Sequence, residues 1–235
     1  MGDCEVVGAN LAVGASAYAQ LVQPPFDRSD PLITAFPVEL AGDAEAVLAV
    51  MPPSRLRPAA SFSVVVEGQQ VTIPGRLYND EPPPDAMGSL SSRQRQLLHC
   101  LYSRHCDGMV RQRHLAKVVD STDPWVVPFV VQLVGEYVLE ILVDVCDGLR
   151  DLATPGTRGH VAYGQFIVDN PAFFARIQRR VVSYWSCYYR SAYSSFRGYP
   201  GSTLLDLLRS AASDRAGHPW PDLAPSAGAR ADGYC

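Results

Sequence analysis

Lysine is nearly missing from this chain: Lys117 stands alone against 19 arginines in 235 residues. Acids are missing from one long stretch as well. Between Asp169 and Asp206 there is no Asp or Glu, so residues 170–205 carry +5 in a chain whose net charge is −4. That overall balance excludes a general attraction to polyanions. No run of about 18 apolar residues occurs, so a membrane-crossing helix is not expected. Val126 to Val145 comes nearest but is interrupted by Pro128, Gln132, Glu136, Glu140 and Asp144. Asp3 and Glu5 stand where a secretory leader needs positive charge, and the cytoplasm is the expected compartment. The six cysteines form no Cys-x-x-Cys pair and read as free thiols. Gly-x-Ser-x-Gly, phosphate-loop and dinucleotide glycine patterns are all lacking, which leaves no catalytic signature and no expected cofactor.

What is present is arranged in blocks. Residues 1–90 sum to −7, 91–120 to +4 and 121–169 to −5, before the +5 block and a final −1. Alternation of this kind suggests that the blocks neutralise one another within one fold. Residues 1–84 are rich in Pro and Gly. Ser61 to Ile73 holds two β-branched runs around Glu67-Gly68, the pattern of a hairpin. Phe36–Leu40 and Ala46–Val50 are expected as two further short strands. Glu81-Pro82-Pro83-Pro84 is an extended spacer and the clearest boundary.

From residue 85 the pattern is helical. Ser91-Ser-Arg-Gln94 reads as a capping box, followed by Leu97, Leu98, Leu101 and Tyr102 at helical spacing. Asp107-Gly108 is read as its stop, with a second helix over 109–119. Thr122-Asp123-Pro124 caps a long helix through about Cys146. Asn170-Pro171 starts an arginine- and aromatic-rich helix to about Tyr193, and a last helix runs from Ser202 to Ala212. Residues 214–235 read as a disordered tail. The expectation is an α+β chain, with a small β-rich N-terminal part (1–84) and a mainly helical domain (85–213) of four or five helices.

Four sets of residues merit weighing as sites. Nine of the 22 aromatics lie in residues 173–199, interleaved with Arg176, Arg179, Arg180, Arg190 and Arg197. Helical spacing puts Arg176, Arg179 and Arg180 on one side and Ile177, Val181, Tyr184 and Trp185 largely on the other. Such a face binds a ligand or partner if open; if it meets Glu136 and Glu140 it is structural. Gln132, Glu136, Glu140 and Asp144 recur every four residues and form an acidic stripe. Without Glu-x-x-His pairs it does not specify a di-metal site. The helices of 91–119, with Arg111, Gln112, Arg113 and Lys117, outline a helix-turn-helix able to meet nucleic acid. His99-Cys100 and His105-Cys106 lack zinc-finger spacing and read as ordinary core residues. The leading expectation is a non-catalytic interaction or adaptor protein with a protein partner, built on Arg176, Arg179, Arg180, Tyr184, Glu136 and Glu140. The alternatives are a nucleic-acid-binding regulator, and an enzyme or ligand binder with a pocket between helices 124–146 and 171–193.

Overall fold

Proline, glycine and capping side chains divide this chain into short helices around one hairpin. The computed structural model describes residues 30–59 and 61–223. Two 3-10 turns, Ile33–Ala35 and Val38–Leu40, lead into α1 (Ala41–Val50). The hairpin follows as β1 (Phe62–Val66) and β2 (Gln69–Ile73), antiparallel with Val64 opposite Val71. Its turn residues Glu67 and Gly68 both have positive φ, as a two-residue type I′ turn requires. Val64, Val66, Val71 and Ile73 alternate inward. Then come α2 (Pro84–Gly88), α3 (Ser92–Tyr102), α4 (Gly108–Leu115), α5 (Val127–Val134), α6 (Leu139–Gly148), α7 (Arg158–Asp169), α8 (Pro171–Tyr184) and α9 (Pro200–Ala216). The chain is mostly helical with a two-stranded antiparallel sheet.

Several expected elements differ, each for a local reason. Phe36–Leu40 and Ala46–Val50 are not strands: the first is a 3-10 turn and the second is the end of α1. Alanine-rich sequence favours helix there, and Ala44, Val47 and Leu48 are buried at helical spacing. The capping box is present, Ser91 Oγ accepting from Gln94 N and Gln94 Oε1 from Ser91 N. Asp107 does not stop α3, which ends at Tyr102; its carboxylate instead caps α4 by accepting from Met109 N at 2.8 Å. The expected long helix to Cys146 is two helices, broken where Gly135 ends α5 and Val138 turns extended before α6. α7 was not foreseen. Thr157 caps it and His160, Tyr163, Phe166 and Ile167 bury its face, but Gly159 and Gly164 disguise the pattern. The arginine-rich helix is regular to Tyr184 and continues as a π turn, Trp185–Tyr189. From Pro84 onward the described residues hold eight α-helices against the expected four or five, because the long helix is broken at Gly135 and because α2 and α7 are added.

The apolar core is continuous from Leu32 to Ala212. Asn170 joins the hairpin to the helices: its Oδ1 accepts from Val65 N at 2.7 Å, and its Nδ2 donates to Val65 O and Phe166 O, both at 2.8 Å. α7 crosses α9 at Gly164, where a Cβ would collide with the Ala211 carbonyl. His160 ties the same helices, with Nε2 3.0 Å from Asp214 Oδ2. The expected disordered tail is placed through Leu223: Gln178 donates to Pro221 O and accepts from Leu223 N, and Asp222 pairs with Arg209. Residues 224–235 lie outside the described residues. No helix among the described residues is long and apolar enough to cross a membrane.

Candidate functional site

Pro171 at the first turn starts α8, and its strongly one-sided pattern decides which way each residue points. Phe173, Phe174, Ile177 and Val181 are buried, whereas Arg176 and Arg179 are exposed and Arg180 is half-buried. Each exposed arginine near a ring lies over it: Arg176 over Phe173 at 5.5 Å and Arg190 over Trp185 at 5.5 Å. Arg180 lies over Tyr184 at 5.7 Å and donates to its hydroxyl at 3.4 Å. Most aromatic rings of this segment pack inward. Trp185 Nε1 donates to Tyr193 O, and Tyr189 stacks on Tyr199.

The break between α5 and α6 completes this surface. It projects Tyr137, 51% exposed, edge-on to Tyr184 at 6.1 Å. Tyr188, 66% exposed, flanks Tyr184 from the π turn at 6.1 Å. Tyr189 donates its hydroxyl to Tyr137 O, fixing the break against the π turn. Among the described residues, no carboxylate lies within ion-pair distance of Arg176, Arg179, Arg180 or Arg190. Glu140 is exposed at the start of α6. Its charge acts on Tyr189, whose phenol is pushed up by burial first and by Glu140 second.

Glu136 does not meet the arginines of α8. It turns inward at the same break, to Arg76 at 3.1 Å, Arg111 at 3.5 Å and Arg104 at 3.8 Å. Arg76 comes from the chain after β2, Arg104 from the link between α3 and α4, and Arg111 from the inner face of α4. Arg104 also donates to Gly75 O at 2.8 Å, and Arg111 to His105 O at 2.9 Å and Cys106 O at 3.0 Å. Burial pulls the Arg104 guanidinium down to about 9, against the attraction of Glu136 and with the repulsion of the neighbouring arginines. The acidic stripe is dispersed by the helix break: Gln132 is buried, and Asp144 accepts from Gln112 at 2.8 Å.

Of the four residues weighed for nucleic acid, Arg111 is 1% exposed, Gln112 is bonded to Asp144, and Arg113 is ion-paired with Glu81. Lys117 stands in solvent. A relay on these helices has no signature in the sequence. His114 Nε2 lies 2.8 Å from Glu81 Oε1, and its Nδ1 lies 2.9 Å from His99 Nδ1. A carboxylate only accepts, so His114 donates from Nε2; when neutral it accepts at Nδ1 from His99, leaving a lone pair on His99 Nε2. Glu81 is held below its ordinary value, the opposing effect of burial being outweighed by hydrogen bonds from His114 and Arg113. Burial, then the charges of His114, Lys117 and Arg95, lower His99 to about 4. Only the pairing of Glu81 in the proline spacer with histidines on two helices creates this relay, and no local spacing announces it.

His99, Cys100, His105 and Cys106 do not converge, and no group of three or more metal-ligating side chains forms among the described residues. A cleft of about 750 Å3 opens beside Arg55 and Arg57, and one of about 500 Å3 lies between the hairpin tip and Val161. Neither touches α6 or α8. No family model, no curated protein and no solved structure matches this chain.

Proposed function

We propose that this chain is a non-catalytic interaction protein that holds an acidic segment of a partner protein on the face formed by Tyr137, Arg180, Tyr184 and Tyr188, acting in the cytoplasm. The observation that carries the reading is the open tyrosine pair, Tyr137 and Tyr188, flanking Tyr184 beside arginines that lack carboxylate partners among the described residues. Tyr and Arg bury large areas at low entropic cost and dominate interface hot spots. Unpaired guanidinium forks bind carboxylates two bonds at a time. Arg176, Arg179 and Arg190 form a basic rim, and Glu140 marks its acidic edge. The helical unit 85–213 carries this face, with the N-terminal part supporting it.

The test is fluorescence anisotropy of a labelled peptide alternating Glu and Tyr, with a labelled oligonucleotide as comparator. Peptide binding that falls about tenfold or more in Tyr188→Ala and in Arg190→Ala is the expected result. No peptide binding, or binding indifferent to both changes, overturns it. Oligonucleotide binding that depends on Lys117 and Arg113 would replace it with the nucleic-acid reading.

A further inference from the structure

Three guanidinium groups close on one carboxylate in the interior. The Arg104 and Glu136 side chains have no exposed surface, that of Arg111 has 1%, and that of Arg76 keeps 26%. Three positive charges therefore face a single negative one where unpaired charge is costly. The carbonyls of Pro74, Gly75, His105 and Cys106 accept from these arginines, but they bring no net charge. Glu136 does not satisfy the remainder. Its contacts to Arg111 and Arg104, 3.5 and 3.8 Å, are longer than the ~2.7–2.9 Å of a good charge-assisted bond. Arg104 NH1 and Arg111 Nε, both buried, have no hydrogen-bond partner. Arg180 adds a further positive charge within electrostatic range of Arg104. Glu136 Oε1 is likewise buried without a hydrogen-bond partner, so the cluster is short of negative charge, and the one carboxylate sits too far from Arg104 to satisfy it.

We propose that Arg76, Arg104 and Arg111 form a binding site for a small oxyanion, a phosphate or phosphomonoester group, which shares the three guanidinium groups with Glu136 and enters beside Arg76. Phosphate suits the site because its oxygens accept from several guanidinium forks at once and its charge matches the excess. Arg76 is the entry because, of the three, its side chain reaches solvent. This site is separate from the tyrosine face and does not depend on the partner reading. The competing account is that the cluster only staples the chain after β2 to the α3–α4 link and to the break before α6, with no anion required.

Isothermal titration of the full chain with inorganic phosphate and with O-phosphoserine, in chloride at constant ionic strength, separates the two accounts. One saturable site per chain is expected, weakened about tenfold or more in Arg76→Gln. In Glu136→Gln it tightens, because the competing carboxylate is gone. Circular dichroism checks that each variant is folded; if Glu136→Gln is not, the half-exposed Arg76→Gln decides. Tighter binding of inorganic phosphate means an enclosed free ion, whereas tighter binding of O-phosphoserine means the phosphoryl group of a larger ligand held at the mouth. Absence of saturable binding of either up to about 10 mM, or equal binding by wild type and Arg76→Gln, overturns the proposal.

Discussion

Glu136 is the single negative charge among three buried or half-buried cations, so its loss leaves them without a counter-charge. Glu136→Leu is expected to cost about 3–5 kcal/mol, read as a lower urea midpoint. His99 carries a pH dependence whose direction follows from its surroundings. It binds its proton at about 4 when folded, against an ordinary 6.5. Between these values the unfolded chain holds more protons, so stability falls as pH drops from 6.5 towards 4 and the His99 contribution levels off below that. His114, also lowered, acts in the same direction. Glu81, held below its usual carboxylate value, loses its contribution as the pH falls further. His99→Gln is expected to flatten the dependence of urea midpoint on pH between 4 and 6.5; parallel curves for the two proteins would remove His99 from this role.

Close contacts between elements rest on few residues. Asn170 pairs with both backbone groups of Val65 and so extends β1 with a side chain in place of a third strand. Asn170→Ala leaves those groups and the Phe166 carbonyl without this partner, and is expected to cost about 2 kcal/mol in thermal or urea unfolding. The α7–α9 crossing needs the bare backbone of Gly164 against the Ala211 carbonyl. Gly164→Ala must separate the helices and is expected to cost about 1–3 kcal/mol; an unchanged melting temperature would mean the crossing is looser than the structure describes. Local chemistry made some elements legible beforehand. Glu67-Gly68 specified its turn and Ser91 with Gln94 capped its helix, because both signals act within four residues. α7 was hidden because two glycines lower its helical signal, and their reason for being there lies in α9 and at Asp151.

Across the molecule, apolar side chains from the hairpin, α1 and the later helices join one core. The Val65–Asn170 bonds and the Arg76–Glu136 pair lock sequence-distant segments across the proline spacer. A single unfolding transition is therefore expected, with far-UV circular dichroism and the fluorescence of Trp125, Trp185 and Trp220 coinciding in urea. A separate early transition would show that the hairpin region unfolds as its own unit. The tyrosine face also exists only at this scale, since Tyr137 and Tyr184 are 47 positions apart and meet through the break before α6.

The sequence by itself determined the hairpin, the capped start of α3, the Pro171 start of the arginine helix and its division into an apolar and an arginine face. Each follows from bonding, φ restriction or periodicity within a few residues. The charge blocks suggested internal neutralisation, which the structure shows for Arg93, Arg104, Arg111 and Arg113 with Asp43, Glu136 and Glu81, but not for the arginines of α8. Which charges meet was decided by tertiary structure alone. An acidic stripe facing the arginines of α8 presumed that the apolar stretch 124–146 is one helix, and it is two. Gly135 ends that helix early, and burial draws the freed carboxylate to Arg76, Arg104 and Arg111, where desolvated cations need it more than solvated ones do. The same break turns Tyr137 outward, so one local interruption both buries the charge and opens the tyrosine surface.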